Sequence, residues 1–400
     1  MAKKPDVIQL WNPVISFLRC YGVVPLKQCD KDPYFERSSG SFCWCLSVAS
    51  IYLFTFAISV CLVIDTFNSS SKMIADATFY LIYYAHCEMT LVFFLYYSGE
   101  LVSLFQHWVE TERQLQLRKI FLGKTTKAQC WLIFIATVIL SNLENGFYIT
   151  GAVMDAKNMT EIIYRLVNLA GKGTDLSPYF GGYKDVYAFA LIFVESLSEV
   201  AWIAGDLIIA LISILLRRYY EALNRQLRSQ HYAGVISLRQ LEEIRRVQLA
   251  ISTLVQKIAE VFSPLILITI GCNVVYILTF LYSGLEADIT SPSFFVRFVF
   301  TYSFIYIALR LTFSVYLASL LNEMPRNTIH YLCGLPSIVG NNTEQQRRRL
   351  IKMDLIIEEI QSESTALGGG GFFILSKSSA ASLFSLIVTY EVVMLQLPHK

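Results

Sequence analysis

Glu195, Glu199, Trp202 and Asp206 fall within a single apolar stretch, DVYAFALIFVESLSEVAWIAGDLIIALISILL. Their spacings of 4, 3 and 4 put all four on one face of an α-helix. A carboxylate inside such a stretch is costly and therefore needs a partner or a task. Other apolar stretches carry further polar groups. One holds Asn142, Glu144, Asn145 and Tyr148, another Asn273 and Tyr276, and another Tyr302, Tyr306 and Arg310 at steps of four. A fifth carries His86 and Glu88. Carboxylates and amides share hydrogen bonds with adjacent hydroxyls, and Tyr and Trp rings cover the C–H face of a pyranose. The chemistry is that of a wet, polar cavity for a polyhydroxylated ligand. Its candidate contacts are Asn142, Glu144, Asn145, Tyr148, Glu195, Glu199, Trp202, Tyr276, Tyr302 and Tyr306. Asp206 and Arg310 lie deeper and are expected to form a structural ion pair. Any one of these groups could instead serve as a helix–helix hydrogen bond, and the single-face array from Glu195 to Asp206 rises above that background.

The elements that position these residues are membrane spans. The chain has 400 residues, 54% hydrophobic and 16% charged, against about 25% charged in soluble domains. A bilayer core about 30 Å thick needs about 20 apolar residues of helix. Seven such spans are predicted, at 41–65, 76–97, 129–151, 186–216, 261–282, 293–321 and 371–397. The fourth and sixth exceed a bilayer's needs, so they tilt or run on beyond it. The fold class is all-α, a polytopic membrane protein. No secretory signal peptide is visible at the start, which Pro5 and Pro13 interrupt.

Basic residues orient the spans. Twenty-four of the 33 lysines and arginines fall in the N-terminal segment and in the 2–3, 4–5 and 6–7 connections, and six fall on the opposite side. The basic side is the cytoplasmic one, which puts the N-terminus inside and the C-terminus outside. The sequons at Asn68 and Asn158 then lie outside and are expected to be glycosylated, whereas Asn341 lies inside. None of the nine cysteines falls in an outside loop, so no extracellular disulfide framework is expected.

The two long cytoplasmic connections read as amphipathic helices. Leu238, Leu241, Ile244, Val247 and Ile251 line one face of the first, and Leu350, Met353, Ile356, Ile357 and Ile360 line one face of the second. These faces either pack on each other or assemble subunits. Gly368–Gly371 breaks the chain before the last span. No metal-ligand spacing, phosphate loop or nucleophile elbow is present, so neither an enzyme nor a cofactor is indicated. A net charge of +2 does not suggest nucleic acid.

The last span ends TYEVVMLQL over residues 389–397. This resembles the TYxxxxxQF signature that closes insect gustatory receptors. The stretch ALGGGGFFILSKSSAASLFSLIVTYEVVMLQL is most similar to the sugar-receptor branch, in which Glu follows Thr-Tyr. WIAGDLIIALISIL, EEIRRVQLAISTLVQKIAEVFSPLILITIGCNVVYI and ISFLRCYGVVPL are similar to other segments of that branch. The likeness covers most of the chain and is firmest over the last 35 residues. It departs at Leu397, where the family has Phe.

The resemblance implies a tetrameric, sugar-gated, non-selective cation channel of the plasma membrane in chemosensory neurons. Its partners would be a mono- or disaccharide, membrane lipid and other gustatory receptor subunits in a homo- or hetero-tetramer. It implies a cytoplasmic segment over 1–40, spans one to four with the outer cavity over 41–216, and a helical anchor over 217–260. Spans five and six follow over 261–321, a second anchor helix over 322–370, and a pore-lining helix over 371–400. Tyr390, Gln396 and Leu397 would line or gate the pore. Rival readings are an odorant-type channel for apolar ligands, a G-protein-coupled receptor and a secondary transporter. Their discriminants are the polar face of span four, the side on which the N-terminus lies, and an inverted repeat.

Overall fold

A computed structural model describes residues 5–28, 35–66, 71–118, 120–154, 184–233, 237–287, 294–334, 343–362 and 366–396. The described elements are almost entirely helical. They run α1 (Asp6–Cys20), a hairpin of β1 (Leu26–Gln28) and β2 (Phe35–Arg37), α2 (Ser39–Thr66), α3 (Ser71–Tyr96), α4 (Ser98–Leu117) and α5 (Lys124–Met154). Two 50-residue helices follow, α6 (Lys184–Ala233) and α7 (Leu238–Ala287). Then come α8 (Phe294–Asn322), α9 (Met324–Cys333), α10 (Thr343–Ser362), a tight hairpin of β3 (Gly368–Gly369) and β4 (Phe373–Ile374), and α11 (Lys377–Gln396).

Among the described residues, six helices are long and apolar enough to cross a membrane: α2, α3, α5, α6, α7 and α8. They correspond to the first six predicted spans, and α11 occupies the position of the seventh. The protein is a multi-pass, all-α membrane protein. Burial sorts these helices into layers. The most apolar window of α6 is wholly buried, whereas α2 and α5 leave most of theirs facing outward. In lipid an outward apolar side chain costs nothing, so exposed Leu53, Phe54, Leu132 and Ile139 mark the bilayer face. Helix α6 is the central post, in contact with α3, α5, α7 and α8.

Three features differ from the sequence expectation. The fifth span and the amphipathic stretch before it, read as separate, are one helix, α7, while α6 runs on into the basic end as the length of the fourth span allowed. The first amphipathic connection is thus the N-terminal half of α7, and Pro264 lies inside the helix rather than ending it. Residues 98–117, read as loop, form α4, whose Leu101, Leu104, Phe105, Trp108 and Val109 are buried. The last span begins at Lys377 and not at 371, because the glycine run folds into the β3–β4 hairpin. That hairpin needs its glycines. Gly370 and Gly371 have φ of 59° and 75°, and a Cβ on Gly369 would meet the Leu267 backbone of α7 at 3.1 Å. Gly370 N–H donates to Ser263 Oγ at 2.7 Å, so the hairpin docks beside Pro264.

The two amphipathic helices of the basic end pack on each other. Leu241, Ile244, Val247 and Ile251 of α7 are buried, as are Ile356 and Ile360 of α10. Arg245 grips Glu359 through two bonds of 2.9 and 2.8 Å, and Lys352 pairs with Glu242. Leu350, Ile351 and Leu355 of α10 stay exposed.

A candidate ligand site at the meeting of four helices

The site is built around one ion pair. Arg310 of α8 places Nε 2.8 Å from Asp206 Oδ2 of α6. Asn273 of α7 donates from Nδ2 to the same oxygen at 2.9 Å and accepts from Arg310 Nη2 at 3.2 Å. Three helices are thereby closed into a triangle. Ser314 Oγ, one turn along α8, donates to the backbone oxygens of Arg310 and Asp206 at 3.0 and 3.3 Å. The Arg310 and Asp206 side chains are only 6% and 1% exposed. Such a pair depends on its remaining donors and acceptors being met; Asn273 meets two of them, while Asp206 Oδ1 and Arg310 Nη1 find no hydrogen-bond partner among the described residues. Gly205, beside Asp206, allows the close approach. A Cβ there would fall 2.0 Å from Thr269 Oγ1 of α7.

Aromatic rings cover the pair. The Arg310 guanidinium lies 5.3 Å from the Trp202 ring centre and 5.4 Å from that of Tyr306, within cation–π range. Trp202 also meets Tyr276 at 4.5 Å, Tyr83 at 5.1 Å and His86, edge to face, at 4.6 Å. His86 is fully buried, and neither ring nitrogen finds a hydrogen-bond partner among the described residues.

Further from the basic end, the carboxylates of α6 are held by hydroxyls. Ser141 of α5 donates to Glu199 Oε1 at 2.5 Å, and Tyr84 of α3 donates to Glu195 Oε2 at 3.3 Å. Tyr302 donates to the Leu140 backbone oxygen at 3.0 Å and stacks beside Tyr306 at 6.2 Å. Glu195, Glu144, Asn145 and Tyr302 are half-buried, whereas Glu199, Trp202, Tyr276 and Tyr306 are buried. The arrangement is a graded one, with a partly open polar tier above a closed aromatic and ionic floor.

Most of the residues selected from the sequence thus meet in space. Asn142 does not join them, since it is exposed and donates to Val138 O of its own helix at 2.7 Å. Tyr148 lies in α5 and Gln396 ends α11, but their side chains fall outside what is described, as do Asn68, Asn158 and Leu397 altogether. Tyr390 is half-buried on α11.

Sequence reasoning passed over Ser141, Tyr83 and Tyr84, because a hydroxyl or a tyrosine in an apolar span carries little cost and raises no alarm. A signal was available. Tyr80, Tyr84, Cys87 and Leu91 follow the same steps of 4, 3 and 4 as the α6 array, and all are buried.

A family model described as trehalose receptor matches residues 8–400. The chain belongs to the trehalose receptor family. This is a family of chemosensory receptors, not of enzymes, and it lies within the insect gustatory receptors that the C-terminal signature resembles. The receptor's fold also matches the insect olfactory receptor OR5 from Machilis hrabei. The TM-score is 0.77 against that structure alone and 0.73 against its complex with eugenol. Identity is 17% in both cases, and the alignment covers 99% of this chain and 100% of the other. Among curated proteins none matches the receptor's sequence significantly.

Proposed function

We propose that this receptor is a subunit of a sugar-gated cation channel of the plasma membrane. The observation that carries the reading is the convergence of Glu199, Trp202, Tyr276 and Tyr306 from three helices upon the Asp206–Arg310 pair, below the half-open tier of Glu195 and Tyr302. Acceptors beside aromatic faces suit adjacent hydroxyls and the C–H face of a pyranose. The family's description as trehalose receptor supports a disaccharide or monosaccharide as ligand. In this reading the basic end is cytoplasmic, the sugar enters from outside, and Asn68 and Asn158 carry glycans. Four copies, alike or mixed with related subunits, would place α11 around a shared pore lined by Tyr390 and Gln396 and closed by Leu397. The cells would be chemosensory neurons.

The site's geometry supports a coupling route. Arg310 touches the aromatic floor on one side and fixes α6 and α7 through Asp206 and Asn273 on the other. A ligand that draws Trp202 or Tyr306 toward itself would alter the cation's setting and so the packing of α8 against α6. Membrane current in cells expressing this chain, across a panel of mono- and disaccharides, tests the reading. Wild type should respond to at least one sugar. Glu199→Gln and Trp202→Leu should need about threefold to tenfold more sugar for half-maximal current, at unchanged surface level. A response to apolar volatiles and to no sugar would replace this reading with an odorant-type one.

A further inference from the structure

A crevice lies toward the basic end from the ligand site, where α1 crosses α5 and α6. It is lined by Leu10, Trp11 and Val14 of α1, Cys130, Trp131 and Phe134 of α5, and Leu211 and Leu215 of α6. It is a narrow cleft with about 10 Å³ of space inside, and Leu10, Trp11, Val14, Cys130, Leu211 and Leu215 are buried in its walls. The lining is apolar throughout, and Trp131 is 40% exposed at its edge.

The edge toward the basic end has a different character. Lys124, Lys127, Trp131 and Phe134 fall within one face of α5, at steps of three and four. Leu211, Leu215 and Arg218 do the same on α6. Arg218 bridges the two helices below the crevice by donating to Gln129 Oε1 at 2.5 Å. Arg217 and Arg218 share the single carboxylate of Glu221, with Arg217 Nε 2.7 Å from it. Lys127 pairs with Asp6 at 2.6 Å, and Lys124 is exposed. Four cations on α5 and α6 therefore meet the carboxylates of Asp6 and Glu221, with Glu112 buried behind Asp6, beside an apolar slot and the half-exposed Trp131.

We infer that the mouth of this crevice binds one anionic phospholipid, with an acyl chain lying over Trp131 and Phe134 and its headgroup on the Lys124–Arg218 lip. The apolar mouth would receive the chain, and the surplus of positive charge would select an anionic over a zwitterionic headgroup. The lipid would fasten α1 to the bundle, since α1 supplies one wall. The choice of leaflet rests on the proposed orientation, but the site itself does not.

The test uses the full-length purified receptor in nanodiscs of phosphatidylcholine doped with a photoactivatable acyl probe on either phosphatidylserine or phosphatidylcholine. A symmetric bilayer offers both headgroups to both leaflets, so an error in the topology would leave the result unchanged. The serine probe should label peptides containing 130–134 at least about threefold more than the choline probe. Trp131→Gln, which makes the mouth polar, should abolish that labelling while annular labelling on α2 persists. Lys124→Gln with Arg218→Gln should bring the two probes to parity without emptying the mouth, and this variant decides the matter if Trp131→Gln fails to fold. Equal labelling by both probes in the wild type, or labelling undiminished by either variant, would overturn the inference.

Discussion

Two arginine–carboxylate pairs hold helices together in this receptor, and they differ in almost everything but their chemistry. Arg310–Asp206 joins α8 to α6 within the membrane bundle, with side chains 6% and 1% exposed. Arg245–Glu359 joins α7 to α10 at the basic end, with side chains 42% and 31% exposed. Distances do not separate them, since both have contacts of 2.8 Å. The environment does. A buried charge left without its partner cannot recover hydration, so breaking the first pair is severe. Each member of the second pair, once released, simply turns to water. Distance alone would rank the two as equals.

Arg310→Ala is the harshest test of that difference. It leaves Asp206 buried with Asn273 alone, and loses the cation beneath Trp202 and Tyr306. We expect a loss of about 3–5 kcal/mol, read as a large fall in melting temperature and in surface receptor. Asp206→Leu with Arg310→Met removes both charges and should recover much of that stability while leaving any sugar response impaired. If the single and double variants are equally unstable, the pair is not the reason for the loss.

The pair was legible in the sequence because a charge in an apolar span signals its own cost. Asp206 and Arg310 were read as partners from that alone, and Glu199 and Trp202 from their shared face. The partners of the carboxylates were not. Ser141 and Tyr84 look like ordinary span residues until α5 and α3 are set against α6. The fold shows the same division. Hydropathy marked the bilayer-crossing parts of α2, α3, α5 and α8 closely, because lipid punishes polar backbone and charge at once. It could not show that the amphipathic helix from Leu238 and the fifth span are one continuous helix. A helix crossing from membrane to water keeps its backbone hydrogen bonds while its side-chain pattern changes. The glycine run was read correctly as a break, but the span was set to begin at 371 rather than at Lys377, because a two-residue strand pair leaves no periodicity to see.

Glu112 of α4 stands between the two extremes. It is 1% exposed, like the inner pair, yet among the described residues it forms no ion pair. Its carboxylate accepts the Asp6 and Val7 backbone N–H groups at 3.1 and 3.0 Å, at the positive end of the α1 dipole, and Gln116 Nε2 at 3.2 Å. Burial outweighs these bonds and pushes its carboxyl from 4.5 up to about 7. The folded receptor therefore keeps a proton that the unfolded chain sheds above about 4.5. Stability attributable to this group is fully present below that pH, falls as pH rises toward about 7, and stays level above. Glu112→Gln should remove the decline, flattening the melting temperature between pH 5 and 7 by the equivalent of about 1–3 kcal/mol. An unchanged slope would mean that the α1 N–H groups hold the carboxylate ionised throughout.

The exposed pair should yield the smallest effect, and the comparison depends on its being small. Arg245 and Glu359 meet in a two-bond fork, the best geometry an exposed pair can have. Both lie close in sequence to the buried Ile244 and Val247 of α7 and Ile356 and Ile360 of α10, whose burial does not need either charge. Burial raises the cost of a charge on both sides of the fork only slightly, and Lys352 with Glu242 one turn away keeps the two helices in register. Arg245→Ala or Glu359→Ala should therefore cost no more than about 1 kcal/mol. The difference from wild type should shrink further in about 1 M salt, where charges are screened within about 3 Å. Exchanging the two charges, Arg245→Glu with Glu359→Arg, should restore what either single change loses. If Arg245→Ala instead costs as much as Arg310→Ala, then α10 is held by this fork rather than by its isoleucines. The exposed Leu350, Ile351 and Leu355 face would then have to be covered in the assembled receptor, because burying α10 against another subunit would dry the fork and lend it the energetics of the membrane pair.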